Sequence, residues 1–309
     1  MIADGRTPVW VVTGFLGSGK TTLLNSLLRK QSESLVIVNE FGDVPVDHHL
    51  LESAQERTVP LPNGCLCCRL RGDLEETLVG AAMRRRRGEI PGFDRVIVET
   101  SGLADPGPVA QTFFADQALA RDFKLGPVVA VVDAADADAR SAAAGIARAQ
   151  IAAADVLVLS KVDRARDVAA VTREVRQVNP IATVIEARFG DVDPARLKPG
   201  TDHVFSTHAS HASGIRSFAW QPGKPVARAL LEKFFSVLVE LRGADLLRVK
   251  GLVALDSGET VLVQGVRHVF DRLRPVNAPA TGLVFITNGI DKQETEALWI
   301  AMSKLKGSS

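Results

Sequence analysis

Outside residues 65 to 68 the sequence has no cysteine, so the three it contains have nothing elsewhere to pair with. That excludes a disulfide framework and points to a reducing compartment. Charge of either sign is not in excess: 37 Lys and Arg stand against 36 Asp and Glu, a formal net charge of +1. No long-range field therefore draws the chain to nucleic acid or to an anionic membrane. No apolar run approaches the roughly 18 residues of a membrane span. The polar opening Met1–Pro8 lacks the pattern of a leader peptide. The expectation is a cytoplasmic protein with neither nucleic acid nor membrane as a partner. What the chain does have is an apolar fraction of 46% over 309 residues, enough for a real core and long for one average domain.

Its organising stretch is Trp10–Leu28, WVVTGFLGSGKTTLLNSLL. Three apolar residues, Trp10, Val11 and Val12, read as the end of a buried strand. Gly14 to Thr21 then matches G-x-x-x-x-G-K-[ST], and Leu23, Leu24, Leu27 and Leu28 follow at helical spacing. Glycines at 14, 17 and 19 allow backbone conformations closed to residues with a Cβ, so successive N–H groups turn inward. With the positive end of the next helix they form an anion site. Lys20 reaches β- and γ-phosphates and the Thr21 hydroxyl is placed for Mg²⁺. Ser18 and Thr22 complete the binding set.

Ser34–Asn39 is a second strand, all but continuous in apolar residues. It runs into Asn39-Glu40-Phe41-Gly42 and a segment with Asp43, Asp47, His48 and His49. That is where P-loop proteins keep a switch sensing the γ-phosphate, and Glu40 and Asp43 are carboxylates for either metal. Next, a Pro62-Asn63-Gly64 turn delivers Cys65, Cys67 and Cys68 ahead of a helix. Thiolates near a helix N-terminus have lowered pKa values and select Zn²⁺, Cu⁺ or Fe–S clusters, and borderline ions such as Co²⁺ less strongly. Three thiolates leave a tetrahedral site open. Glu40, His48 or His49 can supply a fourth ligand, and a redox pair is the competing reading. Arg84 to Arg87 with Gly88 read as dipole-offsetting cations and a helix cap.

The strand Phe93–Val98 ends in Glu99-Thr100-Ser101-Gly102, a carboxylate in the Walker B position. Glu99 can hold Mg²⁺ or orient water, and the Gly102 amide can approach a γ-phosphate. Asp105 reads as a helix N-cap with Pro106 first in the helix. Gly126–Asp133 is a strand, Ala134–Ala154 helical and Asp155–Ser160 a strand. That last strand delivers Ser160-Lys161-Val162-Asp163, which resembles the guanine motif N-K-x-D with Ser for Asn. Asp163 would accept guanine N1–H and the 2-amino group, and the Lys161 stem would pack on the base. Val168–Val178 is a helix and Ala182–Ile185 a short strand, with Glu186-Ala187 near the base.

These segments, in this order, resemble the CobW family of P-loop GTPases over about residues 8–190, and G-C-x-C-C is that family's own mark. The resemblance implies an α/β fold: a doubly wound, mostly parallel P-loop GTPase domain (1–198), a linker (199–213) and a smaller C-terminal α+β domain (214–309). It implies slow Mg²⁺-dependent GTP hydrolysis, with Lys20, Thr21 and Glu99 catalytic. Zn²⁺ or Co²⁺ would bind Cys65, Cys67 and Cys68 with Glu40, for delivery to a client metalloprotein. Homodimerisation is compatible with it. The alternatives are a dedicated activator of one metalloenzyme, of nitrile hydratase or cobaltochelatase type, and a zinc sensor or store. Many members carry a dense histidine run between domains, where this chain has only His203, His208 and His211.

In the C-terminal part Ile215–Trp220 alternates as a strand and Pro225–Leu241 is an amphipathic helix. Leu246–Leu255 and Thr260–Val263 are strands around an Asp256–Glu259 turn. Val266-Arg267-His268 is strand-like, Gly282–Thr287 a strand and Asp291–Lys304 a terminal helix. No catalytic constellation is present there, so docking or regulation is the default role.

Overall fold

The computed structural model describes residues 5–30, 33–38, 58–60, 68–115, 117–136, 144–198, 210–212, 214–280 and 282–305. They fall into two compact units: Met1–Thr172 with Ala182–Thr201, and Arg173–Ile181 with Asp202–Ser309.

The first unit is built on seven strands: β1 (Thr7–Thr13), β2 (Ser34–Val38), β3 (Thr58–Pro60), β4 (Arg95–Glu99), β5 (Phe123–Asp133), β6 (Val156–Ser160) and β7 (Thr183–Glu186). Their order is β3-β2-β4-β1-β5-β6-β7, and every pairing is parallel. A parallel sheet is covered on both faces, which is why its strands read as near-continuous apolar runs. The helices are α1 (Lys20–Lys30), α2 (Cys68–Arg86), α3 (Gly107–Ala115), α4 (Gln117–Asp122) and α5 (Ala144–Ala153), and α6 (Val168–Val178) belongs to this unit up to Thr172. Alternate residues of β1 divide between two cores. Trp10 and Val12 join Leu23, Leu24 and Leu27 of α1 on one face. Val9 and Val11 join Leu74 and Leu78 of α2 and Val109 and Phe113 of α3 on the other. The sheet is thus doubly wound, and binding crevices in such sheets open at the carboxyl ends of the strands.

At the opposite end Asp155 ties three strands together. Its carboxylate accepts from the Val128 amide (3.1 Å), its own amide donates to Val128 O (2.8 Å), and its carbonyl accepts from Thr183 N (3.0 Å). The arginine run ending α2 is more than a dipole complement. Gly88 N donates to Arg85 O and Glu89 N to Arg84 O, a Schellman ending. Arg85 donates to Thr7 Oγ1 and Phe93 O and stacks 4.5 Å over the Phe93 ring, while Arg86 pairs with Asp122 at 2.9 Å.

The second unit is an antiparallel sheet with two helices. Its strands are β8 (Ser210–Ala212), β9 (Ile215–Trp220), β10 (Leu246–Ala254), β11 (Thr260–Val266), β12 (Val269–Phe270), β13 (Arg274–Val276) and β14 (Gly282–Asn288). They run β12-β11-β10-β14-β9-β8, with β13 paired to β11. Helices α7 (Arg228–Arg242) and α8 (Lys292–Leu305) supply Leu231, Phe234, Phe235, Leu238 and Met302 to a core shared with Phe218, Trp220 and Phe285. Phe218 stacks on Phe285 at 5.2 Å, and Trp220 meets Phe234 at 5.4 Å and Trp299 at 5.2 Å.

Three sequence expectations change. Helix α7 begins at Arg228, not Pro225, because Val226 bridges to Leu255, its amide donating to Ala254 O at 3.1 Å. Arg267-His268 is a turn between β11 and β12, with Arg267 at φ +55°. Of the helix expected over 134–154, Ala134 and Ala135 form a bend instead, Ala134 N donating to Ser160 O at 3.0 Å, and the helix that is described is α5. Among the described residues no helix is long and apolar enough to cross a membrane.

Candidate functional site

The carboxyl ends of β1, β4, β5 and β6 converge on one loop. Gly14 to Gly19 leaves β1 and α1 starts at Lys20, as the motif requires. Gly14 holds φ +143°, and a Cβ there would lie 2.3 Å from Val131 O, so the loop passes too close to β5 for any side chain. Lys20 is buried, and its ammonium donates to the carbonyls of Gly14 (2.9 Å) and Phe15 (3.2 Å), which draws it across the mouth of the loop. Thr21 is half-buried beside it and Thr22 exposed. The Ser18 hydroxyl is buried with no partner among the described residues. A loop of inward amides, a helix N-terminus and an ammonium together suit an oligophosphate.

Glu99 is the last residue of β4, buried, in register with Val12 of β1 on one side and Val38 of β2 on the other. After it, Thr100 N donates to Val12 O (2.9 Å) and its hydroxyl to Thr13 Oγ1 (2.9 Å). Gly102 then lies against the P-loop. A Cβ would come 2.7 Å from Leu16 Cδ2 and 2.8 Å from Leu16 N. The Asp105 carboxylate accepts from Gly107 N at 2.8 Å and caps α3, which opens one residue later than Pro106.

The Ser160–Asp163 turn clamps the same loop from β6. The Ser160 hydroxyl donates to Ser18 O at 2.6 Å. Ser160 therefore reaches the P-loop backbone with a shorter side chain than the asparagine usual there. Lys161, at φ +53°, donates to Gly17 O (2.8 Å) and to Asp133 Oδ2 (2.6 Å). Asp133 Oδ1 accepts from the amides of Ala135 (2.9 Å) and Asp136 (3.2 Å). Asp163 is exposed on this turn, 3.9 Å from Arg164 Nε. Glu186, the last residue of β7, is exposed, and Ala187 after it is buried, its amide donating to Leu159 O. Phe189 follows at φ +51°, 74% exposed, and Gly190 packs on the Thr22 carbonyl.

The structure thus brings Gly14, Gly17, Ser18, Gly19, Lys20, Thr21, Thr22, Glu99, Gly102, Lys161 and Asp163 to one end of one sheet. Glu40, Asp43, Asp47, His48, His49, Cys65, Cys67, His203 and His208 lie outside the described residues. Cys68 opens α2, and His211 stands in β8 opposite Arg216. Among the described residues no three His, Cys, Asp or Glu gather to hold a metal. The flanks of the cysteine segment are described: β3 ends at Pro60 in register with Val38, and Val38 with Glu99. Neighbouring strands lie about 4.8 Å apart, so Pro60 and Glu99 stand about 10 Å apart across the sheet.

Two polar residues of the site escape the sequence reading. Asp133 ends an apolar strand as Glu99 does, and that parallel was its signal. Gln150 of α5 donates to Gly102 O and Ala104 O; its signal was an isolated amide in an alanine-rich helix.

Residues 8–186 match the family model of the CobW/HypB/UreG nucleotide-binding domain, and residues 215–303 that of the cobalamin synthesis protein CobW C-terminal domain. The chain is 33% identical to the zinc chaperone YjiA of Escherichia coli over 96% of this chain and 98% of that protein. It is 32% identical to the zinc chaperone CobW of Pseudomonas aeruginosa, over 86% of this chain and 82% of that one. Among solved structures, the crystal structure of Zn(II)-bound YjiA GTPase from E. coli superposes with a TM-score of 0.72 at 27% identity, covering 96% of this chain and 99% of that one. A Zn(II)-bound YjiA variant with a glutamate and two cysteines replaced by alanine gives 0.73 at 28%, with the same coverage.

Proposed function

The chain belongs to the CobW family of nucleotide-binding proteins, carrying its nucleotide-binding and C-terminal domains, and on that footing we propose that it is a GTP-hydrolysing metallochaperone. It binds Zn²⁺, or Co²⁺ where that ion is supplied, and hands it to a client metalloprotein in the cytoplasm. The nucleotide sits on Gly14–Thr22, with Lys20 on its phosphates and Asp163 accepting from the guanine edge. Lys161, tied to Gly17 and Asp133, fixes the base loop against the phosphate loop. Mg²⁺ held by the Thr21 hydroxyl and Glu99 neutralises charge on the transferring phosphoryl group.

The metal binds Cys65, Cys67 and Cys68, with Glu40 as companion. Three thiolates favour a borderline-soft ion and keep one position exchangeable, as delivery requires. The observation that carries the reading is the register row Pro60–Val38–Glu99–Val12. It sets the strands leading into the Glu40 and cysteine segments beside the two strands that lead into the phosphate loops. A change at the γ-phosphate is thereby communicated to the metal ligands across two strand spacings.

The test is a competition titration of Zn²⁺ and Co²⁺ in the presence of GDP and of a non-hydrolysable GTP analogue, on wild type and Cys67→Ser. Because a relative with a glutamate and two cysteines replaced still carries zinc, total zinc content is no readout and the affinities must be resolved. An affinity shift of about tenfold between nucleotides, about 1.4 kcal/mol of coupling, that vanishes in Cys67→Ser supports delivery. An affinity blind to the nucleotide sinks it and leaves a zinc sensor or store.

A further inference from the structure

Gln150 is the one polar side chain of α5 that is wholly inside, 1% exposed, and its placement is at first sight wasteful. Its amide nitrogen donates to Gly102 O at 3.2 Å and to Ala104 O at 3.0 Å. Its amide oxygen has no partner among the described residues. Burying an unpaired amide oxygen costs about 1–3 kcal/mol, which makes the side chain a poor choice for packing alone. Both of its N–H bonds are spent on one short turn, the four residues that follow Thr100.

That turn has few other constraints. Ala104 N donates to Ser101 O at 3.0 Å, which closes the turn but leaves the Gly102 and Ala104 carbonyls to Gln150. On the opposite side Gly102 meets Leu16 of the P-loop so closely that no Cβ fits. Gly102 has no side chain to orient it, so its following peptide plane is held by the Gln150 bond to its carbonyl on one edge and by Leu103 N donating to Ser101 Oγ at 3.5 Å on the other. The turn is gripped between the P-loop and α5.

We propose that Gln150 is a positioning residue for GTP hydrolysis: it holds the Gly102 turn in the orientation that presents its backbone to the terminal phosphate. It touches neither nucleotide nor metal and acts through Gly102. The inference rests on the GTPase reading above. It also makes α5 the element that feels whether the turn has moved, since a shift of Gly102 breaks two hydrogen bonds to that helix.

Gln150→Leu removes both donors at similar volume, and Gln150→Glu replaces them with acceptors facing two carbonyls. A misplaced turn lowers kcat for GTP by about tenfold or more, while GDP, which has no terminal phosphate to meet, binds within about twofold of wild type. The preference for a non-hydrolysable GTP analogue over GDP shrinks in parallel. In Gln150→Glu the buried carboxyl has its pKa raised by desolvation. As pH falls and it protonates, it regains one donor, so its kcat relative to wild type recovers toward acid pH. That recovery also decides the matter where Gln150→Leu folds poorly.

Wild-type kcat and analogue-to-GDP ratio in both variants overturn the inference. So does a loss of GDP affinity that tracks the loss of turnover, with no recovery of Gln150→Glu in acid, because that is a packing role. A wild type that hydrolyses no GTP is a separate result: it overturns the GTPase reading, and this inference with it.

Discussion

At Lys161 one ammonium joins the P-loop carbonyl of Gly17 to the carboxylate of Asp133, and it does so from a left-handed backbone conformation. Hydrogen bonds involving a charged group contribute about 1.5–3 kcal/mol where water is partly excluded. Half-exposure of Lys161 puts this pair at the lower end. Lys161→Ala is expected to weaken GDP and GTP binding alike, by about tenfold. Asp133→Asn can keep its oxygen for the Ala135 and Asp136 amides, but its –NH2 then faces the Lys161 ammonium. The ion pair and its hydrogen bond are lost while Lys161 keeps Gly17 O, so its effect is smaller than that of Lys161→Ala. A double-mutant cycle on nucleotide affinity checks this: additive effects would mean that the two residues do not act as a pair. Phe189 shows a different economy. It sits in the left-handed region, which costs a side chain bearing a Cβ about 1–2 kcal/mol, and with most of its ring in solvent it recovers little. Phe189→Gly should raise the melting temperature by about 2 °C, and calorimetry decides it. A fall would show that the ring makes contacts that outweigh the strain.

Among the elements, the turn after β4 and the P-loop are fitted backbone to backbone. A methyl at Gly102 lies 2.8 Å from the Leu16 amide nitrogen as well as against its side chain. Gly102→Ala therefore moves one loop or the other, and steady-state kinetics should show kcat down by about tenfold or more. Trimming the neighbour with Leu16→Ala should not restore it, since the backbone clash remains; rescue would assign the clash to the side chain alone. The arginine end of α2 carries a stability prediction. Arg85→Ala loses two hydrogen bonds and a cation–π contact with Phe93, about 1–2 kcal/mol together, read as a shift of the urea midpoint. The bland sequence reading of that run as dipole complement missed this, because its partners Thr7 and Asp122 lie far along the chain. Locality separates what could be read in advance from what could not. The P-loop, α6 and β9 announce themselves within a dozen contiguous residues. Asp133 and Gln150 do not, being joined to their partners across 28 and 46 or more residues. Strand β3 escaped for another reason: three residues ending in proline carry no period to detect.

As a whole the molecule joins two sheets of opposite kind, and the placement of aromatic rings in their cores differs. Both cores are largely aliphatic, but the antiparallel one gathers Phe218, Trp220, Phe234, Phe235 and Phe285 into mutual ring contact, whereas Trp10, Phe93, Phe113 and Phe123 are spread over the two faces of the parallel sheet. The parallel sheet and its P-loop end were legible because a G-K-T motif, an acidic strand end and a lysine–aspartate turn follow one another in the order a doubly wound fold allows. The second sheet is legible as alternation and one Asp256–Glu259 turn, and by alternation alone Arg267 reads as strand. Nothing local in Val266-Arg267-His268 signals a left-handed residue. The aromatic core has an optical consequence. The chain has no tyrosine and three tryptophans, so its near-ultraviolet absorption and emission come almost wholly from indoles. Trp220 and Trp299 are in edge contact inside the antiparallel unit, whereas Trp10 stands in β1, four residues before Gly14. Replacing Trp220 and Trp299 by phenylalanine leaves a single chromophore reporting on the nucleotide unit alone, and Trp10→Phe leaves a pair reporting on the other. In urea the two variants should unfold with different midpoints, and GDP at a hundredfold excess over its Kd should stabilise the Trp10 transition by about 2.7 kcal/mol. Coincident midpoints that both move with GDP would instead describe a chain that melts as one body. A shortage of chromophores in this way becomes a built-in pair of lamps, one for each half of the chain.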